Sequence, residues 1–358
     1  MVGVRILGGR KMGLAAVVVA AIACAAPFLP LSFSAAPPAT AQDVAFFRIA
    51  TGASQSLYFA IGGLLASAIS NPPGSRNCEE GGSCGVPGLI AVAQTTGGAV
   101  ANVEAVAGKS IESGLTQSDV AHFAYTGAGV FAKKGKLDGL RALANLYQES
   151  LHLVVRRGAK IAKVADLAGK RVSLGEDGSG TGITARLLLR AHGLSDKRVR
   201  AQALSSAQAA EKIKAKKLDA FFAVGGAPIP AVTDLAAAGL VDILPLAGDV
   251  VAKLRDKYPF LTVDIIPAQT YPGIGDTVTL GVGVLWVVSA DLPEPLAYEL
   301  AKALWHPATR QLLDRGHPIG KKIRFETALS GLPIPLHPGA QRYYTEAGAK
   351  AAQPPASE

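Results

Sequence analysis

The stretch "RVSLGEDGSGTGITARLLL", residues 171–189, decides the fold. A strand-like run ends near Leu174 and Gly175. Small polar and glycine residues follow, and they open a run with helical apolar spacing. Strand, glycine-rich turn and helix make up the repeating unit of an α/β protein. Bare backbone N–H groups at such a helix start commonly hold an anion, so the question is whether that anion is a nucleotide phosphate or a smaller carboxylate.

Three other junctions repeat the plan. "AFFRIATGASQSLYFAIGGLLASAIS" places a strand to Ile49 or Ala50 and a turn over Thr51–Ser54. A helix follows, with Leu57, Ile61, Leu64, Leu65 and Ile69 on one face, and Asn71-Pro72-Pro73-Gly74 ends it. "IESGLTQSDVAHFAYTGAG" passes from strand through Gln117-Ser118-Asp119 into helix. "LDAFFAVGGAPIPAVTDLAAAG" does so through Gly225-Gly226-Ala227, with Pro228 near the helix start. Alternation of this kind predicts an α/β fold with a largely parallel sheet. In such sheets ligands sit at the carboxyl ends of strands beside helix N-termini, so four junctions imply one shared cleft. "LYQESLHLVVRRGAKIAKVADLAGKRV" reads as a crossing into a second domain, and "IPAQTYPGIGDTVTLGVGVLWVVS" as the return. The expected organisation is a discontinuous first lobe, 42–148 plus 279–350, and a continuous second lobe, 149–278.

The first forty residues differ from the rest. Arg5, Arg10 and Lys11 precede the apolar run "LAAVVVAAIACAAPFLPLSF", and Ala39-Thr40-Ala41 forms a small-x-small cleavage pattern. Residues 1–41 therefore read as a secretory signal peptide, with an uncleaved anchor as the alternative. Cys24 lies inside that run. Without the leader, the formal charge falls from +9 to +6. The remaining lysines are scattered without interleaved aromatics, so nucleic acid binding is not expected. "VTLGVGVLWVV", 278–288, is too short for a membrane span and reads as a buried strand. A protein outside the cytoplasm, in the periplasm, is expected. The tail 351–358 reads as disordered.

Cys78 and Cys84 lie in the glycine-rich loop "SRNCEEGGSCGVPG". In an oxidising compartment a disulfide is the simpler reading. A metal site would need two further ligands, and no histidine is near in sequence.

Catalytic signatures are weak. Gly180-Thr181-Gly182-Ile183-Thr184-Ala185 fits G-x-G-x-x-A, but the acid expected about 20 residues on is not placed at a strand end. No Gly-Lys-Ser/Thr ending supports a phosphate loop, Asp177 breaks the nucleophile-elbow pattern, and no zinc-protease motif occurs. His152, within "LHLVV", reads as packing or a hydrogen bond. His306, His317 and His337 each precede proline and read as turn residues. Glu79-Glu80 and Glu176-Asp177 read as solvated loops. Tyr58, Tyr125 and Tyr271 stand near junctions or crossings, where an aromatic can wall a pocket and offer one hydrogen bond. The chain is not expected to be an enzyme, nor to need a cofactor or a metal.

Taken in order, "FRIATGASQSLYFAIGGLLA", "GGAVANVEAVAGKSIESGLTQSDVAHFAYTG", "GEDGSGTGITARLLL", "KLDAFFAVGGAPIPAV", "YPFLTVDIIPAQTYPG" and "LPIPLHPGAQRYYTEAG" resemble the TAXI family, the extracytoplasmic solute-binding proteins of TRAP transporters. The resemblance covers 46–348. It implies a periplasmic binding protein-like fold of type II: two α/β lobes joined by a hinge, with the ligand cleft between them. It implies a small carboxylate or amino-acid ligand such as glutamate, glutamine or 2-oxoglutarate, delivery to a sodium-coupled TRAP permease, and a monomeric receptor. By matching positions, the implied ligand contacts are Thr51, Gly52, Ser54 and Tyr58, then Asn102 and Gln117. From the second lobe they are Ser179, Gly180, Thr181, Gly182, Gly225, Gly226 and Pro228, with Tyr271 near the return crossing. Ser179-Gly180-Thr181 is the expected carboxylate holder. Two features depart from the family pattern: the turn "TGASQSLY", which carries less glycine, and the longer cysteine-bearing insertion. A receptor presenting its ligand to a membrane sensor kinase is the rival reading, followed by an enzyme on the same scaffold.

Overall fold

The computed structural model describes residues 44–349. The leader read at 1–41 and the tail read at 351–358 lie outside the described residues. The first element, β1 (Ala45–Ala50), runs into α1 (Leu57–Ile69). Ser56 caps α1 by accepting the Phe59 N–H, and Ile61, Leu65 and Ile69 face the core. Next come β2 (Ser70–Asn71), β3 (Val86–Pro87), β4 (Leu89–Gln94), α2 (Ala99–Ala107), β5 (Ser113–Gln117) and α3 (Ser118–Thr126). The long strand β6 (Leu140–Arg156) leads to β7 (Arg171–Ser173), α4 (Gly180–Ala191), β8 (Arg200–Gln202), α5 (Ser206–Lys214), β9 (Ala220–Gly225) and α6 (Pro230–Ala237). Then follow β10 (Val241–Ile243), α7 (Asp249–Lys257), β11 (Leu261–Ile266) and the second long strand, β12 (Thr277–Ser289). The helices α8 (Glu294–Leu304), α9 (Pro307–Gly316) and α10 (Pro338–Glu346) close the chain.

The α/β class is as expected, but the sheet is mixed rather than largely parallel. Its order is β4-β1-β5-β12-β6-β9-β7-β8, with β10 joined to β6 and β11 to β12. At one side β1 pairs parallel with β4 and β5. At the other, β7 pairs parallel with β8 and β9. Between them β6 and β12 run antiparallel to each other and to their outer neighbours β9 and β5. The stretches read as crossings, 146–172 and 266–289, take in the second half of β6 and all of β12. A crossing long enough to traverse the sheet gains backbone hydrogen bonds on both edges, which a loop would forgo. Both strands are buried nearly end to end, as central strands covered on both faces are.

One core holds Ile49, Leu115, Leu188 and Trp286; a smaller one gathers Val154, Phe221, Val232 and Tyr271. The three His-Pro pairs are helix caps rather than plain turns. His306, His317 and His337 accept through Nδ1 from the N–H groups of Ala308, Ile319 and Gly339. Among the described residues no helix is long and apolar enough to cross a membrane.

Candidate functional site

At the first junction β1 delivers Thr51 to the start of α1. Thr51 is fully buried and its hydroxyl donates to the Gln94 carbonyl at 2.7 Å. Asn102 from α2 donates to the carbonyls of Thr51 (2.7 Å) and Leu115 (2.6 Å), and its Oδ1 accepts from the Thr96 hydroxyl. Thr51 and Asn102 thus hold three backbone segments together at the carboxyl edge of the sheet. Gly52 packs under Ser56, so a Cβ there would stand 2.8 Å from the Ser56 hydroxyl oxygen. Ser54 is exposed. Tyr58 is different: it is buried, and its hydroxyl has no hydrogen-bond partner among the described residues.

Tyr58 shares its surroundings with residues of β5, α3 and β6. Gln117 ends β5 and is 4% exposed; its Nε2 donates to Glu149 Oε2 at 2.7 Å. Its Oε1 is unpaired, as is the Tyr147 hydroxyl. Asp119, in the first turn of α3, accepts the Val120 N–H at 2.7 Å and the Thr184 hydroxyl at 2.5 Å. Two buried carboxylates therefore lie beside two buried phenols, and no Lys or Arg ion pair of the described residues involves either acid. Burial, reinforced by the Asp119 charge, pushes the Glu149 carboxyl up to about 8 despite the Gln117 hydrogen bond. Burial raises Asp119 to about 6, with the Thr184 hydroxyl opposing. Burial and then the Glu149 charge hold both Tyr58 and Tyr147 far above the usual phenol range.

The helix start quoted at the outset closes this cluster. Ser179 caps α4, accepting the Gly182 N–H at 3.2 Å and donating to the Glu176 carbonyl at 2.6 Å. Its hydroxyl is therefore engaged within its own turn. Thr181 Oγ1 accepts the Val224 N–H at 3.1 Å and ties α4 to β9. Gly180 faces Gln117, and a Cβ at Gly180 would stand 1.3 Å from Gln117 Oε1. Gly182 lies one turn in, against Arg186. At the end of β9, Gly226 fits between Ile319 and Leu57, while Gly225 touches only Ile229.

Tyr58, Gln117 and Gly180 are thus brought together. Thr51, Asn102, Ser179 and Thr181 border the same region with their polar groups turned to the protein's own backbone. Tyr271 is fully buried elsewhere, in the smaller core. The Ile229 N–H donates to its hydroxyl (2.8 Å), which lies 2.9 Å from His152 Nε2, while His152 Nδ1 meets the Ser150 carbonyl at 2.9 Å. Burial drives that imidazole down to about 4, so it is neutral and serves as packing and a hydrogen bond. Pro228 is exposed at the rim of a separate cavity of about 560 Å³, which Gln148, Asp264, Gln269 and Lys322 also line.

Sequence reasoning missed Tyr147 and Glu149 as site residues. The available signal was "LANLYQESLHLVV", where one acid interrupts a run that is otherwise a buried strand. Cys78 and Cys84 form a disulfide. His306, remote in sequence, brings Nε2 to 3.7 Å from Cys78 Sγ beside a cavity of about 470 Å³. Its Nδ1 accepts the Ala308 N–H, so in the neutral ring the proton is on Nε2, facing the sulfur.

The arrangement is that of an α/β protein with a buried polar cluster where the carboxyl ends of strands meet a helix start. The chain belongs to the NMT1-like family, whose model matches residues 49–348. Several solved structures are similar to it. The alkanesulfonate-binding protein SsuA from Xanthomonas axonopodis pv. citri, bound to MOPS, is 17% identical over 85% of this chain and 84% of that one, with a TM-score of 0.44. A TctC solute binding protein from Polaromonas is 15% identical over 76% and 88%, with a TM-score of 0.45. PhnD1 from Prochlorococcus marinus in complex with methylphosphonate is 12% identical over 85% and 99%, with a TM-score of 0.46.

Proposed function

We propose that this chain is a periplasmic solute receptor of the TAXI kind. It captures a small carboxylate or amino acid and delivers it to a sodium-coupled TRAP permease. The solute binds where Tyr58 and Gln117 of one lobe (42–148 plus 279–350) meet Glu149 and the start of α4 in the other (149–278). One observation carries the reading. Tyr58, Gln117 and Tyr147 are buried polar side chains with unpaired atoms, gathered where the Gly180 backbone closes on Gln117. Buried polar groups are ordinarily paired, and unpaired ones that converge are the mark of a binding site. The ligand bridges the lobes and shifts the population toward the closed form. In this reading the chain makes and breaks no bond, and the residues around the cluster bind and orient.

Thermal unfolding tests it. The purified protein, stripped of copurified solute, is heated with glutamate, glutamine, 2-oxoglutarate or C4-dicarboxylates. At 1,000 times its dissociation constant a ligand adds about 4 kcal/mol, which should raise the midpoint by roughly 6 °C for a protein of this size. No shift with any of them would refute the small-carboxylate receptor.

A further inference from the structure

We propose that Cys78 and Cys84 form a thiol–disulfide exchange site for a small dithiol, in which Cys84 Sγ is attacked and Cys78 Sγ leaves under the hold of His306. The site is separate from the cluster around Tyr58 and Gln117. Both cysteines and His306 are half-buried, and all three line the cavity of about 470 Å³. Two cations, Arg76 and Lys302, line it against one acid, Glu299, which pairs with Lys302 at 3.3 Å. Open access and positive surroundings are what a reactive sulfur needs. His306 Nε2 lies 3.7 Å from Cys78 Sγ. Its other nitrogen, Nδ1, accepts the Ala308 N–H at the cap of α9, which fixes the ring and leaves the proton on Nε2. That tautomer donates to sulfur. It also tells against a metal site, although the three side chains are close enough to share an ion. A metal on Nε2 would need the proton on Nδ1, facing the Ala308 N–H.

The loop is closed by more than its sulfur bridge. β2 and β3 pair at its two ends, Ser70 with Val86 and Asn71 with Pro87, and the Gly88 N–H donates to the Asn71 carbonyl at 2.8 Å. Within it the N–H groups of Gly81 and Gly82 donate to the carbonyls of Cys78 and Asn77. Gly82 and Gly85 pack so tightly that a Cβ would stand 1.9 Å from the Arg76 carbonyl oxygen and 2.4 Å from that of Ile69. An opened pair therefore stays in place and can close again. In the exchange, one thiolate of the dithiol attacks Cys84 Sγ. A mixed disulfide forms there, the Cys78–Cys84 bond breaks, and its electron pair leaves on Cys78 Sγ, to which the His306 Nε2–H donates. The second thiolate of the dithiol then attacks the sulfur of the first and releases Cys84 Sγ with the electron pair. The dithiol is oxidised to a cyclic disulfide, the protein pair is reduced, and the two protons of the dithiol reach the cysteines through water.

Reduction kinetics on the purified, oxidised and folded protein test the inference. Dithiothreitol is added without denaturant, samples are quenched in acid, and freed thiols are counted by alkylation. The pair is expected to open faster than the chain unfolds, and at least about tenfold faster than in His306→Asn, as one hydrogen bond to a charged sulfur allows. Asparagine still caps a helix through its side-chain oxygen, so the variant removes the donor to sulfur and keeps the cap. Equal rates in the two proteins would overturn the inference, as would opening no faster than global unfolding. A second arm uses glutathione, a monothiol that stops at the mixed disulfide. Peptide mapping by mass is expected to find glutathione on Cys84 and the alkyl group on Cys78. Glutathione on Cys78, or shared evenly between the two, would overturn the inference whether or not the variant folds.

Discussion

Glu149 and His152 stand three positions apart on β6 and titrate against the fold in opposite senses. Glu149 has a folded value of about 8 against an ordinary 4.5. The folded protein therefore keeps a proton that the unfolded chain releases. Its contribution is complete below about pH 4.5 and is lost as pH rises through 8. His152 has a folded value of about 4 against an ordinary 6.5. The unfolded chain takes up its proton first, so this contribution is complete above 6.5 and is lost as pH falls toward 4. Each shift corresponds to a few kcal/mol, on the order of 1.4 per pH unit. The thermal midpoint should therefore lose ground on both sides of mildly acidic pH. Glu149→Gln should flatten the alkaline decline between about pH 4.5 and 8 and leave the acid decline in place. A midpoint-against-pH curve of unchanged shape in that variant would show that Glu149 does not carry a displaced proton.

At the scale of elements, the start of α4 is the informative piece. An alanine at a helix position normally improves on glycine by up to about 1 kcal/mol. At Gly180 the added methyl would collide with Gln117 Oε1, and the buried amide would have to move off Glu149. Gly180→Ala should therefore destabilise the protein by about 1 to 3 kcal/mol in urea unfolding, as overpacking does. A midpoint equal to or above that of the unaltered chain would mean that the contact is loose. Helix and strand positions were legible because apolar spacing reports them. α1 begins at Leu57, the first apolar position of its pattern, and α3 at Ser118, inside the turn read over Gln117–Asp119. Strand direction was not legible, because apolar alternation is the same whichever way a strand runs; hence a largely parallel sheet was expected where β6 and β12 run antiparallel. At the cluster, the junctions and the family resemblance named Tyr58, Gln117 and Gly180. They could not separate these from Asn102, Ser179 or Thr181. A residue that holds its own backbone and one left with an unpaired polar atom are drawn from the same short list of polar types.

At the scale of the whole molecule, the cysteine loop is an appendage on the first half of the sheet, stapled across a sequence separation of 6. So short a loop limits the unfolded chain little, and the bond should be worth about 2 kcal/mol. Replacing both cysteines by serine should lower the thermal midpoint by about 3 °C. A fall several times larger would show that the loop braces the fold rather than decorating it.

The pairing of β6 with β12 reaches from Gly281 opposite Ser150 to Ser289 opposite Leu140. It is continuous with β5 on one side and β9 on the other. In the proposed two-lobed receptor the link between the lobes is therefore a paired two-strand ribbon, not a flexible tether. Torsion is the compliant coordinate of paired strands, and it leaves their amide–carbonyl ladder intact. Side chains also tie α1, α3 and β5 to residues of the 149–278 stretch: Gln117 on Glu149, Thr184 on Asp119, Leu57 under Gly226, and the rings of His122 and Phe123 against Tyr258 and Phe260. In the proposed receptor a solute would add to this set by pairing with groups it leaves unpaired, the Tyr58 and Tyr147 hydroxyls.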